Sequence, residues 1–124
     1  MNIRCIAIDD EPLALSKMAG YISKTPFLEL VSACRSGYEA IELLSATEVD
    51  LMFVDINMPD INGLELISYV RNNPNYQNIP LFIVSTESSD KDLEKGLALG
   101  ANEYIVKPFD PVRLQDLVSK YLDY

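Results

Sequence analysis

Asp9 with Asp10 beside it, Asp55, Ser85 and Lys107 share one local setting: each follows a short apolar run, IRCIAI, LMFV, LFIV or YIV. Runs of this kind read as strands buried on both faces of a parallel sheet, and chemistry in open α/β folds collects where such strands emerge. Three carboxylates on neighbouring strand ends repel one another, and a hard divalent cation relieves that repulsion. Mg2+ suits a site of few carboxylates, water and phosphate oxygens. The hydroxyl of Ser85 and the ammonium of Lys107 complete a set able to steady the equatorial oxygens of a phosphoryl group while a carboxylate attacks phosphorus. Singly the residues say less. Asp9, Asp10 and Glu11 suit any helix N-terminus, Asp55 could cap a turn, Ser85 is uninformative alone, and a lone Lys107 reads as a solvated charge. It is their conjunction at one sheet edge that points to chemistry.

The elements that must position these groups alternate regularly. A first strand, Ile3 to Ile8, precedes a helix opened by Pro12, with Leu15, Met18, Ala19 and Ile22 on one face and Thr25-Pro26 at its end. A second strand runs from Leu28 to Ala33 and ends near Cys34. Ser36 and Glu39, at capping-box spacing, start a helix that turns Ala40, Ile41 and Leu44 inward. Leu51 to Val54 is the third strand. Asn62-Gly63 leads into a helix with Leu66, Ile67 and Val70 inward, stopped by Asn72, Asn73 and Pro74. The fourth strand, Leu81 to Val84, is followed by a helix over roughly Ser89 to Leu99, with Ser89 and Asp92 at capping spacing. Gly96 in its interior costs about 1 kcal/mol relative to Ala and marks either the least stable helix or a close approach to the sheet. After Gly100 come a fifth strand, Tyr104 to Val106, and a last helix from Pro111 with Leu114, Leu117, Val118, Tyr121 and Leu122 at amphipathic spacing. Such alternation predicts an α/β fold, a flavodoxin-like (βα)5 doubly wound five-stranded parallel sheet of order 2-1-3-4-5. In that order the first and third strands are neighbours, so Asp9, Asp10 and Asp55 fall within about one strand spacing, ~4.8 Å.

Size and charge narrow the functional classes. The 124 residues make a single domain, 1-124, and a net charge of -9 from 10 basic and 19 acidic residues disfavours nucleic acid and anionic membranes. The opening stretch MNIRCIAIDD has too short an apolar core for a signal peptide and no run reaches membrane-spanning length, so a cytoplasmic protein is expected. Cys5 and Cys34 lack metal-type spacing and sit in apolar surroundings, as reduced core thiols do. Histidine is absent, which excludes any mechanism that needs an imidazole from this chain.

The stretches IAIDDEP, LMFVDINMPDINGLEL, IPLFIVSTE and GANEYIVKPF, in this order and spacing, resemble the receiver domain of two-component response regulators over essentially the whole chain. That resemblance implies that Asp55 accepts the phosphoryl group from a phosphohistidine on a sensor histidine kinase or a histidine phosphotransfer protein. It implies Asp10 as a direct Mg2+ ligand, Asp9 as a ligand through water, Asn57 as a ligand through its backbone carbonyl, and Asp55 itself on the metal. It also implies Ser85 as the switch hydroxyl, Lys107 as the phosphate-pairing lysine, Tyr104 as the switch aromatic, and a cis Lys107-Pro108 bond. The output is then a shift of the face made by the fourth helix, fifth strand and fifth helix. Glu87, Lys91, Lys95, Tyr104 and Arg113 are candidate partner-facing residues on it, although each taken singly reads as ordinary solvated surface. No enzyme is implied beyond weak self-dephosphorylation, and the expected state is a monomer or a phosphorylation-dependent dimer.

Within the family the resemblance divides. IDDEPLAL is similar to receivers that precede LytTR-type DNA-binding domains, whereas NNPNYQNIP and NEYIVKPF are similar to stand-alone chemotaxis-type receivers. A single-domain regulator is the preferred reading, with a receiver cut from a longer transcriptional regulator as the alternative. An aspartyl-nucleophile phosphohydrolase ranks below both, because its pattern places an acid two residues after the nucleophile and here Asn57 offers an amide, which cannot donate and recover a proton. A flavin site is disfavoured by the acidic first strand-helix turn, where a flavin phosphate wants amide donors.

Overall fold

The computed structural model describes residues 3–55, 63–85, 90–106 and 111–122. Its strands are β1 (Ile3–Ile8), β2 (Leu28–Cys34), β3 (Leu51–Val54), β4 (Leu81–Ser85) and β5 (Glu103–Val106). They form one parallel sheet in the order β2-β1-β3-β4-β5, as the alternation of elements predicts. Between and after them run α1 (Pro12–Ser23), α2 (Gly37–Ala46), α3 (Gly63–Asn72), α4 (Asp90–Leu99) and α5 (Pro111–Leu122).

Side chains that alternate along each strand feed two cores, one per face. Ile6, Ile8, Met52, Val54, Leu81 and Ile83 meet α2 and α3, while Cys5, Ala7, Leu51, Phe53, Phe82 and Val84 meet α1 and α5. The helix faces expected from periodicity are the ones buried. Leu15, Met18 and Ile22 of α1, Leu66, Ile67 and Val70 of α3, and Leu114 and Val118 of α5 are all inside, whereas Ala19 is half-buried. Ser36 caps α2 through its hydroxyl, which accepts from the Glu39 amide at 3.1 Å, and the Glu39 carboxylate accepts from the Arg35 amide at 3.0 Å, one residue before the cap.

Two features depart from strict alternation. The β1–β2 register passes from Cys5↔Leu30 to Ile6↔Ser32, a bulge that leaves Val31 without an opposite number. One extra residue inverts the facing of everything beyond it, so Cys34 joins the α2–α3 core while Leu28 and Leu30 stay with α1 and α5. Cys5 and Cys34 therefore lie on opposite faces of the sheet, and both thiols are free and buried. In α4, Gly96 is a close-approach position: a Cβ there would run into Cδ1 of the fully buried Ile83. The helix follows the sheet closely at that point, and Leu97 and Leu99 beyond it stay largely exposed.

At Gly20, by contrast, a Cβ would enter open space, with no neighbouring atom within 4 Å, so Gly20→Ala is expected to stabilise the fold by roughly 0.5–1 kcal/mol in chemical denaturation. Burial, reinforced by the charges of Glu29 and Asp50, pushes the Cys5 thiol up to about 12 from 9.0. A folded-state value raised in this way contributes stability that is complete below pH 9 and drains away as pH climbs toward 12. Melting temperatures between about pH 8 and 11 are expected to fall less steeply in Cys5→Val than in the parent protein.

Candidate functional site

The carboxyl ends of β1 and β3 carry the acidic groups. Parallel pairing continues one residue past each strand: the Asp9 amide donates to the Cys34 carbonyl at 3.0 Å, and the Asp55 amide donates to the Ile8 carbonyl at 2.9 Å. Both aspartates are thus held at the backbone by the neighbouring strand before any ligand is considered. Asp9 is buried, Asp10 and Asp55 are half-buried, and one carboxylate oxygen from each lies within 4.8 Å of the others. Three carboxylate oxygens at that spacing are a donor set able to hold one hard cation.

The helix that follows supplies the rest of the local order. Glu11, in extended conformation, is the N-cap of α1, and its carboxylate accepts from the Ala14 amide at 3.1 Å. Asp9 Oδ1 accepts from the Glu11 amide at 3.0 Å and bends the chain between strand and helix. Of the three acids that open this helix, Glu11 is therefore the one that caps it, and Asp9 and Asp10 are left to the cluster. Leu15, Met18, Phe53 and Val84 line a small cavity beneath Asp9 and Asp55, giving the carboxylates an apolar floor.

Farther along the edge, Val54 stands opposite Ile83, so β4 runs two residues beyond that level before it ends at Ser85. Ser85 in turn is opposite Val106, the residue before Lys107. The Ser85 hydroxyl, Asn57, Lys107 and the Lys107-Pro108 bond lie outside the described residues. Tyr104 is opposite Ile83 on the edge strand β5 and packs half-buried against the α2–α3 core. Lys95 and Arg113 are exposed, while Glu87 and the side chain of Lys91 are outside the described set. No helix among the described residues is long and apolar enough to cross a membrane.

A doubly wound five-stranded sheet of order 2-1-3-4-5, with acids gathered where β1 and β3 emerge, defines the flavodoxin-like class of α/β proteins. Within that class, the response regulator receiver domain family matches residues 5–119, and the chain belongs to this family, the receiver modules of two-component signalling. The transcriptional regulatory protein YvrH of Bacillus subtilis is 31% identical over 121 residues, covering 98% of this chain and 49% of YvrH. The chemotaxis protein CheY1 of Helicobacter pylori is 30% identical over 121 residues and is covered to 97%, as is this chain. The structure of the Vibrio cholerae chemotaxis protein CheY4 aligns with a TM-score of 0.87 at 26% identity, over 98% of this chain and 100% of that one. The chain spans about half or less of the length of the first curated relatives it matches.

Two residues that the sequence does not single out hold the opposite edge of the sheet. Arg71 and Asn102 sit at the amino-terminal end of β4, where they join three stretches of chain. The one sequence signal for them is an amide-bearing side chain between a helix-ending glycine and a strand.

Proposed function

We propose that this domain is a phosphorylation switch in which Asp55 accepts a phosphoryl group from a phosphohistidine of a partner protein. The observation that carries the reading is the cluster of Asp9, Asp10 and Asp55, with oxygens within 4.8 Å of one another where two adjacent strands end. A carboxylate oxygen of Asp55 attacks phosphorus as the bond from phosphorus to the donor imidazole nitrogen breaks, and the imidazole leaves with the bonding pair. Asp9, Asp10 and Asp55, with the backbone carbonyl of Asn57, would hold Mg2+. The cation, when bound, supplies charge neutralisation for the incoming phosphoryl oxygens. Lys107 then pairs with one phosphoryl oxygen and Ser85 donates its hydroxyl to another. Movement of Ser85 vacates space for Tyr104, which exchanges its half-buried position for a more enclosed one and shifts the α4–β5–α5 face toward an output partner.

The domain acts as a signalling element rather than an enzyme acting on small substrates, since Asn57 offers no exchangeable acid proton two residues after the nucleophile. The chain's match to 49% of the transcriptional regulatory protein YvrH supports a second reading of the output, in which the same receiver is one segment of a longer transcriptional regulator.

Treatment with acetyl phosphate and Mg2+ is expected to add one phosphoryl group to the intact mass of the wild-type protein and none to Asp55→Asn. A wild-type protein without that adduct sinks the proposal. A Mg2+ concentration about ten times the dissociation constant contributes about 1.4 kcal/mol of stability and is expected to raise the melting temperature by roughly 3–6 °C for a domain of this size. Asp10→Asn is expected to remove most of that rise, and an equal rise in both proteins counts against the cluster as the metal site.

A further inference from the structure

We infer that Arg71 and Asn102 are positioning residues for the phosphoryl site, setting the β4–β5 register from the far edge of the sheet. The inference rests on the reading of Ser85 and Lys107 as the groups that meet the phosphate. Arg71 lies in the last turn of α3, and its guanidinium donates to the carbonyls of Gly100 at 2.8 Å, Gln77 at 3.1 Å and Ile79 at 2.7 Å and to Asn102 Oδ1 at 2.8 Å. Asn102 Oδ1 also accepts from the Leu81 amide at 2.8 Å, and the Asn102 amide donates to the Leu81 carbonyl at 2.8 Å. Leu81 is the first residue of β4 and Asn102 immediately precedes β5, so this closed pair is the first rung of their pairing. The Tyr121 hydroxyl, 3.0 Å from the Asn102 carbonyl, ties α5 to the same point.

The fit around the guanidinium is specific. Gly100 has φ +119°, and a Cβ there would lie 2.7 Å from Arg71 Cγ. The amides of Gly100 and Ala101 donate back to the carbonyls of Leu97 and Gly96, which closes α4 in a Schellman-type turn directly over Arg71. Carbonyls of the α3–β4 connection and of Gly100 beyond α4 answer the positive charge, and burial lowers the Arg71 pKa while the guanidinium keeps its proton. Lysine has the charge but lacks the planar fork that reaches four acceptors.

Register needs this help because β5 is a four-residue edge strand, paired on one side only. A slip of one residue would turn the fully buried Ile105 outward and shift the residue opposite Ser85, and with it the point at which the Lys107 segment leaves the sheet. The span from Leu81 to Ser85 is about 13 Å of strand, far beyond hydrogen-bond reach, so the lock bears on the phosphoryl site through the register it sets along β4 and β5. Asp9, Asp10 and Asp55 follow the last residues of β1 and β3, and the pairing of those two strands with each other does not involve the lock.

That division of the sheet can be tested. Wild type, Asn102→Ala and Asn102→Asp are compared by amide hydrogen exchange, by Mg2+ affinity, and by beryllofluoride affinity in saturating Mg2+. Asn102→Ala is expected to lose protection in β4 and β5 but not in β1 and β3, and to bind beryllofluoride about tenfold more weakly, as the loss of a half-buried pair of hydrogen bonds suggests, with Mg2+ affinity unchanged within about twofold. Asn102→Asp keeps both acceptor contacts and is expected to restore wild-type values. Should Asn102→Ala fail to fold, Arg71→Lys takes its place with the same expectations. Equal losses of Mg2+ and beryllofluoride affinity, wild-type behaviour of the alanine variant, or failure of the aspartate variant to rescue it overturns the inference. A wild-type protein that binds no beryllofluoride overturns the phosphoryl reading instead, and unchanged exchange in the variant then overturns the register claim on its own.

Discussion

Asp9, Asp10 and Asp55 come together because two neighbouring parallel strands end side by side and fix the backbone from which their carboxylates project. The amides of Asp9 and Asp55 are bonded to the strands beside them, and the residues before them, Ile8 and Val54, are packed into the core. Drawing these strand ends apart would expose that core, so burial of β1 and β3 holds the carboxylates in place. The fold thus gathers the three carboxylates in advance, which lowers the ordering cost of any ligand they would share.

The sheet divides labour between its edges. At the carboxyl edge lie groups suited to transient chemistry, and at the amino edge lies a dense set of permanent hydrogen bonds around Arg71 and Asn102. A switch needs both, because a movement is informative only if one end of the moving element is fixed. Gly96 sets how closely α4 approaches the sheet. Its lack of a side chain lets α4 settle on Ile83, so the glycine that costs helix propensity also allows close packing of helix and sheet. From sequence, the weak-helix and close-approach readings of Gly96 are equally open, and the contact with Ile83 supports the second.

The relatives bear on how this scaffold is used. CheY1 is matched along nearly its whole length and YvrH along half, so one receiver architecture serves chains of different extent. What such a domain transmits depends on its exposed face, since the fold itself hosts many outputs. Here the exposed Leu97 and Leu99 of α4 and the half-buried Tyr104 of β5 lie on the elements expected to shift.

By itself the sequence determined the alternation of five strands with five helices, the inward face of nearly every described helix, and the placement of Asp9, Asp10 and Asp55 at the carboxyl ends of adjacent strands. These follow from periodicity and from short-range chain geometry, and so are written in consecutive residues. Tertiary structure alone decided three things. It showed that Glu11, among three adjacent acids, is the helix cap; that a bulge at Val31 sends Cys34 to the face opposite Cys5; and that Arg71 reaches across to Gly100 and Asn102. A cap depends on which carboxylate meets a free amide, a bulge on how two strands come into register, and a guanidinium's partners on where distant turns converge. Each is a relation between segments far apart in the chain or in competition for one position, and no local pattern of residue types encodes it.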